Sequence, residues 1–469
     1  MGMFTRLKGL VNMILSAKAK NAFDVGSKNT AVTDKFIDNC LKIYQGNPDW
    51  VDEENHIKTI NFAQAICSEI AQLTTLAIAI KIDGSARAQW LQEEIDKLYY
   101  NLRHWVEYGC ASGTIIVKPN GSTVDMFLPT EYLVTNTNGD NITGAVFQSQ
   151  EYDTQRKKWF TRLEYHRTLE NGLYAITNKC FVGDTQKDAQ KEVSIETTPW
   201  NGLYDEVFIS NVDRPLFGTF RTPLANNIDF NSPLSLPIFS NAVEELMDLD
   251  VAYSRNVKEI YDSKRTILLD SDRLLPSGRK ITSSVMGFKR AANNIGLPDY
   301  VKCVYGNSTD DIYHEINPQL NTDARLTGIN SLLSQIGYKC GFDNGHFVFN
   351  EKTGVITATQ VEAEQQRTIR LIKDMRDKLQ NCIDGVIYAL DKFADLYDYA
   401  PVGSYEINYS FGDITYSYDE DKKTWWSYVL QGKVPAWRYF VKFEGMSEDE
   451  AKEMQAETQT AGQLYMPEE

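Results

Sequence analysis

The longest run of helical periodicity lies between Ile369 and Tyr397, where apolar residues recur at spacings of three and four. Gln, Glu, Arg, Lys and Asp fill the positions between them, so one apolar stripe faces a partner while the other face stays solvated. Thr357 or Thr359 can cap the start. The pattern predicts one helix well beyond the common range of about 8 to 20 residues. The stripe consists of Ile369, Ile372, Met375, Leu379, Ile383, Val386, Leu390, Phe393 and Tyr397.

Gly385 interrupts this long helix. A glycine inside a helix costs about 1 kcal/mol relative to alanine, so we expect it to mark a bend or a close contact with another element. Period alone is also typical of an ordinary core helix. The length of the pattern favours a special role.

A helix, a small module and a second helix precede the long helix. The first helix begins after Pro237, and acidic residues crowd its first half. The module covers Thr266–Pro318. The arrangement predicts a hairpin-like projection, which alone could be a coiled-coil arm or an oligomer stalk. Expected strands in the module are Thr266–Asp270 and those around Tyr300–Tyr305 and Ile312–Ile316, and the second helix carries Leu326, Ile329, Leu333 and Ile336.

The N-terminal half changes period. Residues His56–Ile82 and Ala86–Tyr108 have helical spacing, and short alternating runs follow from Thr114 to about Ser210. Asn-Gly pairs join these runs, as expected for hairpins of an antiparallel sheet. Pro and Asn in Arg214–Pro237 indicate an irregular connector. The predicted fold class is therefore α+β. The Asn-Gly turns begin at Asn120, Asn138 and Asn171.

Composition restricts the function further. The chain has 469 residues, of which 42% are hydrophobic, and a formal net charge of -16. Such acidity argues against ordinary tight nucleic-acid binding, in which Lys and Arg neutralise phosphates. An acidic surface is nevertheless compatible with DNA that slides past without sticking.

The seven cysteines are an odd number without a CxxC pair, which indicates reduced thiols in a cytoplasmic setting. At the N-terminus, Arg6 and Lys8 precede the short apolar run Val11–Leu15, which we interpret as part of an amphipathic or disordered arm. No apolar run reaches membrane-spanning length, so no membrane association is expected.

Motifs for catalysis are weak. The chain lacks a GxxxxGK[ST] loop, and the serine of Gly109-Cys-Ala-Ser-Gly stands at the wrong position for a nucleophile elbow. Its five histidines form no HExxH-type pair, so neither a metal nor another cofactor is expected. We expect a protein that is not an enzyme. A hydrolase with two carboxylates is the remote alternative, because pairs in space are invisible in sequence.

Several segments together carry a resemblance to a known family. They are Glu315-Ile-Asn-Pro-Gln-Leu, Leu332-Leu-Ser-Gln-Ile-Gly, the turn Gly341–Phe349, Thr357-Ala-Thr-Gln-Val with the following helix, and Pro435–Gln455 with Phe443-Glu-Gly-Met-Ser-Glu-Asp-Glu-Ala. This order resembles the portal proteins of tailed bacteriophages of the siphophage type. Gln360 departs from the family, which usually has Glu after Thr-Ala-Thr.

The resemblance implies a ring, usually a dodecamer, at a unique capsid vertex of the virion, assembled in the cytoplasm of the bacterial host. DNA would be packaged and ejected through its channel. Implied partners are the terminase large subunit, a head-completion or adaptor protein, and the major capsid and scaffolding proteins. The implied parts are an N-terminal arm (1–50), a wing (51–235), two stem helices (236–263 and 320–338), a clip (264–319), a tunnel loop (339–357), a long kinked helix returning to the wing (358–420), and a helical crown (421–469).

The tunnel loop supplies the candidate site. Glycines give its backbone freedom, and cationic and aromatic side chains could contact a phosphate backbone. The alternative is a surface turn whose two phenylalanines dock on the core. Gly385 would be the kink of the long helix, and Ser447 with Glu450 a capping box in the crown. The candidate DNA-facing residues are Lys339, His346, Phe347, Phe349 and Lys352.

Another phage structural protein, such as a minor capsid or baseplate component, is the main alternative. Such a protein assembles without passing DNA. It would not need the order of helix, module, helix, loop and long helix, which therefore favours the portal interpretation.

Overall fold

The structure is a computed structural model. It describes residues 9–455 except for 121–122, 140, 170–171, 187–190, 264–265, 271–300, 305–312, 317–319, 349–365, 413–424, 431–432, 445–446 and 448–449. The chain forms two compact units. The first comprises Met1–Thr75 and Ile80–Asn408, and the second comprises Leu76–Ala79 and Tyr409–Glu469.

Eight described helices belong to the first unit. Most have an apolar face directed into the core, and the long helix predicted from periodicity is the last of them. They are α1 (Gly9–Phe23), α2 (Ala31–Tyr44), α3 (Phe62–Thr74), α4 (Ala86–Asp96), α5 (Tyr99–Ser112), α6 (Val243–Asp262), α7 (Thr322–Lys339) and α8 (Gln366–Tyr397).

The strands form four sheets. The largest has the order β4-β5-β6-β7-β8, with β9 also pairing with β7, and the others are β10-β2-β3, β12-β11-β13 and β1-β14. The strands are β1 (Ala79–Gly84), β2 (Thr114–Asn120), β3 (Thr123–Phe127), β4 (Tyr132–Asn138), β5 (Asn141–Asp153), β6 (Lys158–Thr168), β7 (Tyr174–Gly183), β8 (Lys191–Val193), β9 (Glu206–Ile209), β10 (Gly218–Arg221), β11 (Thr266–Asp270), β12 (Val301–Val304), β13 (Tyr313–Ile316) and β14 (Tyr405–Ser410).

The predicted hairpins are confirmed. Strands β4 and β5 meet with Asn138 opposite Asn141, and Gly139 between them has a φ of 57°, which suits an Asn-Gly turn. All pairings within the largest sheet are antiparallel. Helices and antiparallel sheets in separate parts of the chain make the fold α+β, as predicted.

Three sequence predictions of secondary structure need correction. The helix expected over His56–Ile82 ends at Thr74, and β1 follows it because burial alternates there, with Ile80 and Ile82 buried and Lys81 exposed. The helix expected over Ala86–Tyr108 is two helices, α4 and α5. The expected irregular connector contains β10, which pairs with β2.

Helix α1 packs on the largest sheet. Its Leu15 and Ala19 are fully buried against Leu133, Val146 and Leu163 of that sheet. The described part of the N-terminal arm is therefore an ordered layer of the first unit.

Helix α8 forms the centre of the first unit. Most of its predicted stripe is buried, from Ile372 to Leu390, whereas Tyr397 at its end is 42% exposed. Arg376 donates to the last carbonyls of α3, at 3.1 Å from Leu73 O and 3.3 Å from Thr74 O. The prediction of a long amphipathic helix is confirmed.

Gly385 of α8 lies directly against β10. A Cβ atom at Gly385 would lie 2.8 Å from the Cα of Gly218, and a Cβ at Gly218 would lie 2.0 Å from the carbonyl oxygen of Cys382. Only two glycines allow the helix and the strand backbones to approach this closely. Of the two roles expected for Gly385, the close contact is therefore present, whereas the kink stays a prediction.

Helices α6 and α7 form an antiparallel hairpin. Lys339 at the end of α7 pairs with Glu245 at the start of α6, and Arg325 near the start of α7 pairs with Glu259 near the end of α6. The first helix begins at Val243, later than the predicted 236, because Pro237 and a 3-10 turn at Ser240–Ala242 precede it.

The segment between the two hairpin helices contains a three-stranded mixed sheet. Strand β11 pairs parallel with β12 and antiparallel with β13. The three strands expected from the sequence are confirmed, whereas the rest of the expected clip lies outside the described residues.

Two side chains of α6 attach the base of the hairpin to the segment before α3. Asp250 accepts from the Trp50 ring nitrogen at 2.9 Å and from the Ile60 N–H at 3.0 Å. Ser254 accepts from the Lys58 N–H at 2.9 Å and donates to the carbonyl of Lys58 at 3.1 Å. Because Asp250 is 4% exposed, these bonds fix the direction in which the hairpin leaves the first unit.

The second unit contains α9 (Ala436–Glu444) and a helical segment at 450–455. The predicted capping box is confirmed: the Ser447 N–H donates to the Glu450 carboxylate at 3.1 Å, and the Glu450 N–H donates to Ser447 Oγ at 3.3 Å. Inside the unit, the rings of Trp426 and Tyr439 lie 4.9 Å apart.

Candidate functional site

The candidate site begins with the turn that ends α7. The Phe342 N–H donates to the carbonyl of Gly337 at 2.9 Å, and the Gly341 N–H donates to that of Tyr338 at 3.2 Å. These two bonds, with Gly341 at a φ of 95°, make a Schellman motif. Phe342 is fully buried, so the direction in which the chain leaves the hairpin is fixed.

Asp343 ties this turn to the start of α8. Its carboxylate accepts from the N–H groups of Arg367 at 3.2 Å and Thr368 at 3.1 Å. In return, the Asp343 N–H donates to Thr368 Oγ1 at 3.1 Å. The negative side chain satisfies free N–H groups at a helix N-terminus, as an N-cap does, although it comes from a distant part of the chain. We call these contacts the Asp343 clamp.

Arg367 adds a second connection between the same elements. Its guanidinium lies 3.8 Å from the centre of the Tyr338 ring and donates to the Tyr338 carbonyl at 2.8 Å. The end of α7, the turn and the start of α8 are therefore joined by ionic, aromatic and backbone contacts. Sequence analysis missed these three residues. The Asp-Asn-Gly turn signal at 343–345 could have indicated a capping aspartate.

His346 and Phe347 dock on the first unit. The Phe347 ring lies 5.1 Å from that of Phe62 and 4.7 Å from that of Phe342. His346 Nε2 lies 3.3 Å from a carboxylate oxygen of Glu69, and this hydrogen bond lowers the pKa of Glu69. For Phe347, the contacts match the alternative in which a phenylalanine of the turn packs on the core.

The remaining predicted site residues are distributed differently. Lys339 lies at the end of α7 and pairs with Glu245, which links it to the hairpin partner. Phe349 and Lys352 lie outside the described residues, as do the expected caps Thr357 and Thr359 and the divergent Gln360. The described structure thus brings His346 and Phe347 together and places Lys339 one turn earlier on α7.

The most enclosed charged group in the first unit is Glu164. Its carboxylate lies 2.9 Å from Lys118 Nζ, 3.1 Å from Arg162 Nη2 and 2.8 Å from His166 Nε2. Burial would raise the pKa of Glu164, but these neighbours hold it well below its ordinary value. The cluster contains one carboxylate and is buried on all sides, so it does not provide the carboxylate pair of a hydrolase.

His166 is held neutral in this cluster. Burial lowers its pKa, and its Nδ1 lies 3.1 Å from the hydroxyl of Tyr174, whose oxygen accepts from the Leu216 N–H at 3.2 Å. These contacts fit a tautomer with the proton on Nε2, donating to Glu164. The network connects β2, β6 and β7 with the segment leading into β10.

The described cysteines are free thiols, and all six are buried. Burial raises the pKa of Cys340 and of Cys382 to about 12. Among the described residues, no group of three or more His, Cys, Asp or Glu side chains could hold a metal ion. No helix in the described part of the chain is long and apolar enough to cross a membrane.

Comparisons with known proteins give little similarity. No family model matches the chain. No curated protein matches it either. Among solved structures, a chain of one described as "Neck of empty GTA particle computed with C6 symmetry" aligns with a TM-score of 0.44 and 9% identity, over 92% of this chain and 99% of that one.

Proposed function

We propose that this chain is the subunit of a phage portal ring, through which DNA is packaged into a capsid and later ejected. One observation carries the proposal: an antiparallel hairpin with a small sheet between its helices, followed by a clamped turn and one long central helix. The resemblance in sequence implies this same order of parts. The portal acts as a channel and a docking platform and catalyses no reaction.

The described elements take the parts implied by the resemblance. Helices α6 and α7 are the stem, strands β11–β13 belong to the clip, the two larger sheets with their helices form the wing, and α9 belongs to the crown. The clip would dock the terminase large subunit and, later, a head-completion or adaptor protein. Major capsid and scaffolding proteins would surround the ring in the assembling virion.

Mass measurement and negative-stain microscopy of the purified chain test the proposal. We expect rings with a central hole and a mass of about 640 kDa, which is twelve times the 53.4 kDa of one chain. A stable monomer that hydrolyses a glycan or a nucleotide would defeat the proposal. Closed assemblies without a hole would favour a minor capsid or baseplate component.

Contact of the tunnel loop with DNA is a separate part of the proposal. The described contacts give Phe347 and His346 an anchoring role, so the DNA contact would depend on cationic groups near them. A double variant, His346→Ala with Lys352→Ala, should shorten the packaged DNA or slow its packaging. Phe230→Ala, at a residue 91% exposed and outside the loop, is a suitable control. Unchanged length and rate in the double variant would make the loop contact dispensable.

A further inference from the structure

Four aromatic side chains form a continuous row at the end of α8. The rings of Trp90 and Tyr399 lie 5.8 Å apart and those of Tyr399 and Tyr397 lie 5.5 Å apart, both pairs stacked at 28°. The Phe393 ring continues the row 6.2 Å from Tyr397. We call Trp90, Tyr399, Tyr397 and Phe393 the aromatic row.

The aromatic row is open to solvent. Tyr397 is 42% exposed and Tyr399 52% exposed, while Trp90 and Phe393 are partly exposed. Leu396 beside them is 38% exposed. Large aromatic side chains are usually buried, and neighbouring exposed ones are enriched at binding surfaces. Packing within the first unit therefore leaves much of this surface uncovered.

The row is built on a rigid base. Asp398 has a φ of 55° and the Tyr399 N–H donates to the Ala394 carbonyl at 3.1 Å, so the chain turns back and lays Tyr399 against Trp90. Below the turn, the fully buried Arg87 donates to the carbonyls of Ala400 at 2.8 Å and Pro401 at 3.1 Å. A surface fixed in this way loses little conformational entropy on binding.

Arg87 also holds α8 itself. It donates to the Asp391 carbonyl at 2.7 Å and to the Asp391 and Asp395 carboxylates at 3.0 Å and 2.6 Å. Both sides of the aromatic row, the helix end and the returning turn, are thus held by one guanidinium.

The charges near the row are mainly negative. Glu93, one turn from Trp90 on α4, is exposed, as are Asp395 and Asp398. The cation Lys392 lies over the ring of Tyr388, 5.5 Å from its centre. Carboxylates beside exposed rings disfavour nucleic acid, whose phosphates would be repelled, and favour a ligand that carries Lys or Arg.

The ring geometry narrows the ligand further. Stacked rings cover one another's faces, so the row presents ring edges and tyrosine hydroxyls where a sugar would need an open face. Grooves between neighbouring aromatic side chains accept the rings of an extended proline-rich segment. Such a segment advances about 6 Å per two residues, close to the spacing of the rings.

We propose that the aromatic row is a docking site for an extended, proline-containing segment of another protein, with Lys or Arg flanking its prolines. Tyrosine hydroxyls would bond its exposed carbonyls, and Glu93, Asp395 and Asp398 would pair with its cations. This inference concerns a surface that the proposed channel function does not use.

Fluorescence polarisation of the purified full chain tests the proposal with three labelled peptides. One has two Pro-x-x-Pro repeats flanked by arginines, one has the same repeats flanked by glutamates, and one has alanine in place of every proline. We expect the arginine-flanked peptide to bind most tightly, with affinity falling as salt rises. Equal binding of all three, or binding of none, would overturn the proposal.

Single variants locate the site. Tyr397→Ala should weaken binding of the arginine-flanked peptide at least about fivefold, as expected for an interface anchor. Asp398→Asn keeps a residue type that tolerates positive φ and should reduce the salt dependence. Tyr100→Ala, at a tyrosine 87% exposed on α5 and outside the row, is the matched control. Equal losses in Tyr397→Ala and Tyr100→Ala, or tighter binding of an oligosaccharide or oligothymidylate than of the peptide, would refute the assignment.

Discussion

Individual buried charges connect segments that are far apart in the sequence. Arg87 of α4 uses all of its nitrogens to hold the end of α8 and the turn after it, more than three hundred residues later. Glu164 joins two sheets through Lys118 and Arg162. In both clusters the charge is tolerated because each partner supplies hydrogen bonds in place of water.

Replacing Arg87 with methionine should destabilise the first unit strongly. The change leaves Asp391 and several carbonyls without their donor, and breaking such a buried cluster costs about 3 kcal/mol. Urea denaturation measures the loss. Arg103→Met, at an exposed arginine that bonds only Gln72 across α3 and α5, is the control and should change stability by less than about 1 kcal/mol. Similar losses in both variants would contradict the assigned role of Arg87.

His166 should make stability depend on pH. Its folded-state pKa is lowered by burial, so the folded protein keeps it neutral while the unfolded chain gains a proton below its ordinary value of 6.5. Stability should therefore fall as pH decreases below about 6.5. At lower pH still, Glu164, whose folded pKa is also depressed, should add a further loss as the unfolded chain is protonated.

Thermal denaturation between pH 7 and pH 5 measures the contribution of His166. His166→Gln should flatten the dependence over this window, because the side chain no longer titrates, although stability at pH 7 should fall. The exposed His104→Gln should leave the slope unchanged. A slope that His166→Gln does not alter would assign the acid sensitivity to other groups.

At the scale of elements, the main contacts depend on which residues are small. The crossing of α8 over β10 requires both Gly385 and Gly218, since either Cβ would overlap the opposite backbone. Helix length was predictable from the apolar stripe of α8. The strand that this helix crosses was not, because β10 is short and lies in a stretch rich in Pro and Asn.

Two glycine-to-alanine substitutions should act in opposite directions. Gly328→Ala in α7 meets nothing within 4 Å, so it should stabilise the protein by up to about 1 kcal/mol through helix propensity. Gly385→Ala should destabilise it, because a contact of 2.8 Å with Gly218 Cα forces helix and strand apart. Chemical denaturation of both variants checks the prediction, and stabilisation by Gly385→Ala would disprove the close contact.

At the scale of the molecule, the sequence indicated the order of parts better than their connections. The hairpin, the three strands between its helices, the antiparallel sheet and the capping box could be predicted because each follows from local spacing. The Asp343 clamp could not, since its partners are brought together only by the fold. The anchoring of Phe347 on Phe62 was one of two alternatives that periodicity could not separate.

Ring assembly of an acidic chain should depend on ionic strength. Each subunit carries a formal charge of -16, so neighbouring copies repel unless salt screens them beyond about 8 to 10 Å. We expect added salt or divalent cations to increase the fraction of rings, as measured by analytical ultracentrifugation. Rings that form better as ionic strength falls would contradict this expectation.

The Asp343 clamp has a consequence for how the chain tolerates change in length. Because Asp343 and Thr368 are bonded to each other, residues 349–365 leave and rejoin the fold at almost the same point. Doubling the length of a segment closed in this way adds only about 0.6 kcal/mol of loop entropy. Related chains could therefore exchange this segment for longer or shorter ones while the two helices it connects keep their positions.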